Sequence, residues 1–299
     1  MTLAAIGAVG IPPFRPSDFD HGDVHPATGR VFVAHTAGDS VEVIDGERAV
    51  HLQTIPGCRE SSGVLCAHDG TMVFAAARGA GDVLVIDPDS LAVLRRIPTG
   101  PRPNGLAWDR RRRQLLVADV GDLTVRLLDP RSDPIDEPVR MPGRPRWCVH
   151  DPAADRFLVN IREPACVALL SSGPLAPAGC WPVAVAGPHG LDLDHGRGLA
   201  FVACDGGAVC VHDLRSGGEV GRIAIAGAPD ATWCDVERRL LYVAIGDPGV
   251  VDVVDTAAMA VREQVVTEPG ARTTAFDAVR RQLVVFMPRA CRASFYRER

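Results

Sequence analysis

Short apolar segments alternate with polar turns along the whole chain. Residues 102–130, for example, read RPNGLAWDRRRRQLLVADVGDLTVRLLDP. This stretch contains a turn, a short strand, a polar turn and two further β-rich strands, the second of which ends in aspartate. Similar stretches begin at Gly187 and Ala228. Short apolar runs bounded by turn residues are typical of β-strands, so the pattern predicts a chain built of strands.

The same unit recurs at a nearly constant interval. Seven residues occupy matching positions at the start of its first strand, 41 to 43 residues apart, and we call them the first ring: His21, Ser62, Asn104, Arg146, His189, Asp230 and Arg272. Units of about 40 to 45 residues with four short strands each are the signature of β-propeller blades. The repeat therefore predicts an all-β fold, a seven-bladed β-propeller.

The seventh unit, residues 272–299, has room for three strands and lacks a fourth. At the other end of the chain, LAAIGAVG (residues 3–10) has the register of the segment LRRIPTGPRP that precedes the third unit. We expect residues 1–11 to supply the outer strand of blade 7, which would close the ring and remove exposed strand edges. The prediction is a single domain over residues 1–299.

The repeated unit resembles a known family. Its motif Pro-x-Gly-Leu-x-x-Asp, followed by LLVAD and TVRLLDP, is similar to that of the YVTN/YncE-like seven-bladed propellers, most clearly over Pro103–Asp129 and Pro188–Asp213. The likeness covers essentially the whole chain and extends more distantly to virginiamycin B lyase and SMP-30-type lactonases. The resemblance implies the same fold, but such propellers include binding proteins as well as enzymes.

In a propeller blade, the start of the first strand and the end of the second strand meet at one mouth of the central channel. The second-strand ends form a second ring, predicted as His35, Ala77, Asp119, Asn160, Cys204, Ile245 and Met287. From the two rings we predict the catalytic residues His21, His35, His189 and Asp119. We also predict four substrate-binding residues, Ser62, Asn104, Arg146 and Arg272.

Imidazole combined with carboxylate suits general acid–base catalysis near neutral pH and also binding of a divalent metal. A metal site of His21, His189 and Asp230 is therefore predicted, for Zn, Mn, Fe or Mg. His25 cannot share an ion with His21, because four residues of extended chain span about 13 Å. The family's metal-dependent hydrolases bring glutamate to the mouth, whereas no glutamate maps to either ring here. This departure favours a histidine-rich or lyase-like acid–base site.

Composition narrows the function further. A net charge of −5 gives no electrostatic reason to expect nucleic acid or an anionic membrane as a partner. All 32 basic residues are arginine, which excludes Schiff-base and P-loop lysine chemistry. Nine cysteines without a repeated CxxC pair, and no signal peptide, predict reduced thiols in the cytoplasm.

The sequence thus favours an enzyme with a site at the channel mouth, a hydrolase or lyase acting on a small polar and anionic substrate. The alternative is a non-catalytic propeller that serves as a platform for a protein or a small ligand. The oligomeric state is left open by the sequence.

Overall fold

A computed structural model describes residues 2–14, 16–132 and 137–298 of the chain. Their strands form seven four-stranded antiparallel sheets. The innermost strands contact one another in chain order, and the last contacts the first, so that the seven sheets form a ring. The predicted seven-bladed β-propeller is confirmed. The helical structure in these ranges is a three-residue 3-10 turn, Thr36–Gly38, and no helix there is long and apolar enough to cross a membrane.

Strands are numbered β1 to β28 in chain order. The innermost strands of blades 1 to 7 are β2 (Phe19–Val24), β6 (Ser61–Cys66), β10 (Pro103–Asp109), β14 (Pro145–Asp151), β18 (Pro188–Asp194), β22 (Pro229–Asp235) and β26 (Thr273–Asp277). The second strands are β3 (Arg30–His35), β7 (Val73–Ala77), β11 (Gln114–Asp119), β15 (Arg156–Ile161), β19 (Leu199–Cys204), β23 (Leu240–Ile245) and β27 (Gln282–Met287). The third strands are β4 (Ser40–Asp45), β8 (Asp82–Ile86), β12 (Thr124–Leu128), β16 (Cys166–Ser172), β20 (Ala208–Asp213), β24 (Val250–Asp255) and β28 (Arg292–Glu298). The outer strands are β5 (Val50–Pro56), β9 (Val93–Pro98), β13 (Val139–Arg140), β17 (Leu175–Pro182), β21 (Glu219–Ala224), β25 (Ala260–Val266) and, for blade 7, β1 (Leu3–Gly10).

The N-terminal strand completes the last blade, as predicted. β1 pairs with β28 in antiparallel register, with Leu3 opposite Glu298 and Gly10 opposite Arg292. The Ile11 N–H then donates to the Cys291 carbonyl oxygen over 2.8 Å. Ile11 also packs into the apolar cluster shared by blades 7 and 1, which includes Phe295.

Burial explains why the inner strands carry the stronger apolar signal. Each blade packs against two neighbours, so the first three strands are covered on both faces and lose the alternation of a half-exposed strand. β10 is buried along its whole length, whereas the outer strand β25 alternates between exposed and covered positions. The apolar cores therefore lie between blades, as where Phe32 of blade 1 packs in one cluster with Val64 of blade 2.

The innermost strands carry a β-bulge near the mouth of the channel. In blade 3, Pro103 lies opposite Asp119 and Leu106 lies opposite Val117. Two residues of β10, Asn104 and Gly105, therefore face one residue of β11, Ala118. The ladders of blades 1, 2, 4, 5 and 6 shift at the same place. A bulge of this kind turns side chains out of the regular pleat and fixes which residues are equivalent.

Two predicted ring positions are one residue off for this reason. In blade 1, Phe19 lies opposite His35, so the equivalent of Asn104 is Asp20, and His21 is the next residue along. In blade 4, Pro145 lies opposite Ile161, so Ile161 and not Asn160 belongs to the second ring. The apolar pattern does not reveal the extra residue of a bulge.

Candidate functional site at the channel mouth

Six of the predicted site residues line one cavity of about 130 Å³ at the mouth of the channel: His21, Asn104, Arg146, His189, Asp230 and Arg272. We call it the mouth cavity. Four further residues complete its wall: Asp20, Arg78, Arg144 and Trp147. These side chains come from all seven blades, since the inner strands converge there.

Three predicted residues do not line this cavity. Ser62 is buried, and its hydroxyl donates to the Pro103 carbonyl oxygen over 2.9 Å, which links blade 2 to blade 3. Asp119 is buried beside the outer part of its own blade, 2.6 Å from Arg126 Nε. His35 is fully buried and stacks on Phe19, with 4.5 Å between ring centroids.

His189 bridges two carboxylates. Its Nε2 lies 3.0 Å from Asp230 Oδ1, and its Nδ1 lies 2.9 Å from Asp205 Oδ1. Burial opposes a positive charge on this imidazole, but the two carboxylates outweigh burial and raise the pKa of His189. Burial likewise opposes the charge of Asp230, yet His189 and Arg272 hold the pKa of its carboxyl well below the usual range. His189 is therefore a protonated imidazole that lies between the carboxylates of Asp230 and Asp205.

His21 has the opposite electrostatic setting. Its ring lies against the Trp147 indole, with 4.2 Å between centroids, and its Nε2 is 3.5 Å from Asp20 Oδ1. Burial dominates and lowers the pKa of His21, despite the nearby carboxylates. The result is a neutral imidazole at neutral pH, the form that accepts a proton.

The mouth cavity is lined by four guanidinium groups, of which two are paired. Arg78 Nη2 lies 2.6 Å from Asp20 Oδ2, and Arg272 Nε lies 3.2 Å from Asp230 Oδ2. Arg144 and Arg146 have no carboxylate within ion-pair distance in the described part of the chain. The Nε of Arg146 is buried there without a hydrogen-bond partner. Burial lowers the pKa of Arg146 and outweighs the opposite effect of the Asp230 carboxylate, which is not within ion-pair distance.

The sequence prediction missed several residues at or beside the mouth cavity, and three of them share a position. Arg78, Arg162 and Asp205 each follow directly after the end of a second strand. Arg162 pairs with Asp205 over 2.9 Å, so this position builds the outer wall of the site. A third ring taken one residue beyond the predicted second ring would have included Arg78 and Asp205 but not Arg162, because the predicted blade 4 position is one residue early.

Comparison with known proteins supports the propeller fold but identifies no family. No family model and no curated protein matches the chain. A chain in the crystal structure of a mitotic checkpoint complex superposes with a TM-score of 0.81 at 13% identity, over 99% of this chain and 91% of that chain. A chain of Kuenenia stuttgartiensis hydrazine synthase superposes with a TM-score of 0.84, also at 13% identity, over 95% of this chain and 96% of that chain. Identities this low show the propeller fold alone, and the likeness to YVTN/YncE-like proteins has no matching family model behind it.

Proposed function

We propose that the mouth cavity binds the anionic group of a small molecule and that His21 acts on this molecule as a general base, as in a lyase or hydrolase. One observation carries the proposal. Arg144 and Arg146 line a shared cavity without carboxylate partners among the described residues. Arg144 is exposed, whereas Arg146 is half-buried and its Nε is a buried donor without a hydrogen-bond partner among these residues. Such a donor costs free energy, which a bound carboxylate or phosphate would relieve through paired N–H···O bonds.

The dimensions favour a small group. The mouth cavity measures about 130 Å³, whereas pockets for drug-sized ligands measure roughly 300 to 1,000 Å³. A carboxylate at Arg146 would leave the adjacent carbon beside His21. The neutral imidazole can remove a proton from that carbon, and the guanidinium groups would stabilise the negative charge that develops. This is the first half of an elimination, which makes a lyase the preferred reaction class.

A divalent metal fits these residues poorly. Ligand atoms of Asp20, His21 and Asp230 lie within 4.8 Å of one another. However, Asp20 already pairs with Arg78, and Asp230 already pairs with His189 and Arg272. A cation added here would compete with these partners and meet the unpaired charges of Arg144 and Arg146. We therefore expect untagged purified protein to hold no stoichiometric Zn, Mn, Fe or Mg by elemental analysis; one equivalent of any of them would favour the metal-assisted alternative.

Binding of simple anions tests the proposal. Calorimetric titration with phosphate and with C3–C6 carboxylates should detect one site at low ionic strength, and Arg146→Ala should weaken it at least tenfold. Arg215→Ala removes the same charge from an exposed turn and should leave binding unchanged. An equal loss in both variants, or no binding at all, would contradict an anion site at the mouth.

Solvent exchange separates a catalyst from a binding platform. Carboxylates that bind should exchange their α-hydrogens in D2O when the wild-type protein is present, and His21→Gln should lose this exchange while still binding the anion. Binding without any exchange would favour the non-catalytic alternative.

We also infer a reducing location such as the cytoplasm, since all nine cysteines are free.

A further inference from the structure

A second and larger cavity lies beside the seam where the chain passes from blade 7 into blade 1. It is an open groove of about 570 Å³, which we call the seam groove. Phe14, Pro16 and Pro288 contribute apolar wall, and Ser17 lies among them. The seam groove meets the mouth cavity only at Arg272, which lines both. Its chemistry is separate from that of the mouth.

Ser17 begins a chain of hydrogen bonds that leads into the core of blade 1. Its Oγ lies 2.8 Å from His35 Nε2. On the other side of the ring, His35 Nδ1 lies 3.2 Å from Glu42 Oε1. A hydroxyl, an imidazole and a carboxylate in this order and at these distances form the constellation that activates a serine nucleophile.

The carboxylate of this constellation is held rigidly. Glu42 is fully buried and accepts hydrogen bonds from Ser40 and Thr54 over 2.7 and 2.6 Å, and His51 Nε2 lies 2.8 Å from its Oε2. Burial alone would raise the pKa of Glu42, but these bonds and that to His35 outweigh it and lower the pKa to about 2. Glu42 is therefore ionised at neutral pH and can stabilise an imidazolium.

The imidazole is equally fixed. The His35 ring stacks on Phe19 and meets the edge of Phe14, with 4.5 and 5.1 Å between ring centroids. The side chains of His35 and Glu42 are fully buried, so Ser17 is the member of this hydrogen-bonded set that lines the seam groove. A preorganised base behind a nucleophile on the wall of an open cavity is what acyl transfer requires.

We propose that Ser17, His35 and Glu42 are the catalytic triad of an esterase site in the seam groove. Ser17 Oγ attacks the carbonyl carbon of an ester while its proton passes to His35 Nε2. The tetrahedral intermediate then breaks the bond to the leaving alcohol, which takes that proton and departs, and the acyl group remains on Ser17. Water attacks the acyl-enzyme, gives a proton to His35 and releases the carboxylic acid as Ser17 recovers its proton.

The walls indicate the substrate class. Proline and phenylalanine surfaces suit a small apolar acyl or aryl group. The charged side chains of the groove are Asp18, Arg272 and Arg289, and Arg272 already pairs with Asp18 over 2.9 Å. Arg289 is therefore the guanidinium available to stabilise the oxyanion that forms during attack. The site therefore fits uncharged carboxylic esters of modest size, in contrast to the anions proposed for the mouth cavity.

Covalent labelling tests the site directly. The full-length protein, treated with a fluorophosphonate probe and digested, should carry the probe on Ser17 by peptide mass spectrometry, with fluoride as the leaving group. It should also hydrolyse p-nitrophenyl butyrate. Ser17→Ala should abolish labelling and lower hydrolysis at least 100-fold, and Ser216→Ala, in an exposed turn of blade 5, should change neither.

Glu42 acts through His35 and is a positioning residue. Glu42→Gln should lower kcat for the ester at least tenfold per mole of folded protein, counted by circular dichroism because loss of folded protein alone also lowers the apparent kcat at constant KM. Glu42→Asp, which keeps a carboxylate, should recover part of this kcat. The mouth variant Arg146→Ala should keep full esterase activity. Labelling at another residue, no labelling at all, or hydrolysis that survives in Ser17→Ala would overturn the triad.

Discussion

At the scale of single residues, the neighbours of each histidine decide its chemistry. His189 lies between two carboxylates and is charged, whereas His21 lies against an indole ring and is neutral. His25 directly follows the far end of the strand that carries His21, and its ring bonds to Thr28 and to the Gly70 carbonyl. Within blades 1 and 5, histidine thus serves as a charged group (His189), as the proposed general base (His21) and as a structural hydrogen-bond partner (His25).

His189 makes folding stability depend on pH. Its folded pKa lies above its unfolded value of about 6.5, so its stabilising contribution is complete below that value and is lost as the pH rises through the folded pKa. His189→Gln should therefore lower the melting temperature more at pH 6 than at pH 9. Thermal melts followed by circular dichroism measure this difference, with His195→Gln, an exposed histidine, as the control. An equal loss at both pH values would refute a charged His189.

At the scale of the strand, the sequence predicts the blades well and the site less well. The period near 42 residues gives the number of blades because strand and turn lengths repeat. The bulge escapes prediction because its second position is glycine in only some blades. A Cβ at Gly63 or Gly105 would clash with the backbone carbonyl of the next blade, at Asn104 or Arg146 respectively. Blades 1 and 4 carry His21 and Trp147 at this position, and both line the mouth cavity.

Residues contributed by strand ends are harder to predict than those inside strands. Arg78 and Asp205 lie in turns directly after second strands, where the apolar pattern that marks the strands has ended. His35 was predicted as a catalytic residue of the mouth, yet it pairs with Ser17, a residue of the linker between β1 and β2. The seam where the chain closes is the one place that the period does not describe.

The first strands also carry a matched pair of carboxylates, of which Asp23 is buried and Asp192 half-buried. Asp23 in β2 and Asp192 in β18 lie opposite the equivalent residues Phe32 and Phe201. Each accepts a backbone N–H of the next inner strand, from Cys66 over 2.8 Å and from Cys234 over 2.6 Å. Burial outweighs these bonds and raises the pKa of Asp23 to about 6 and that of Asp192 to about 7. Both carboxyls tie neighbouring blades together at a cost that grows with pH.

The substitution Asp192→Asn tests whether ionisation of this carboxyl destabilises the folded protein. With a folded pKa above the unfolded value, the wild-type carboxyl destabilises the fold increasingly as the pH rises from about 4 to 7. The melting temperature of Asp192→Asn relative to wild type should therefore increase between pH 4.5 and pH 8. Asp87→Asn should give a nearly constant difference over this range, because hydrogen bonds from Ser90 lower the pKa of Asp87 and its carboxyl is ionised in both the folded and the unfolded state above about pH 5. A flat difference for Asp192→Asn would show that its carboxyl is not perturbed.

At the scale of the whole molecule, the ring closes through contacts between the inner strands β26 and β2 and through the pairing of β1 with β28. β1 covers the edge of β28, and Ile11 fills the core between blades 7 and 1. The same segment continues through Phe14 and Ser17 to the seam groove before it enters β2 at Phe19. Closure of the fold and construction of the proposed esterase site therefore depend on one stretch of chain.

Deletion of residues 1–11 tests this closure. The truncated protein would present the unpaired edge of β28 and an uncovered apolar surface, so it should melt at a lower temperature and aggregate in size-exclusion chromatography. A synthetic peptide of residues 1–12 added in trans should restore part of the melting temperature, because it can re-form the pairing of β1 with β28, whereas a scrambled peptide should not. Deletion of residues 1–2 alone leaves β1 intact and serves as the control. Unchanged melting and a monomeric elution after removal of residues 1–11 would show that the ring holds without its N-terminal strand.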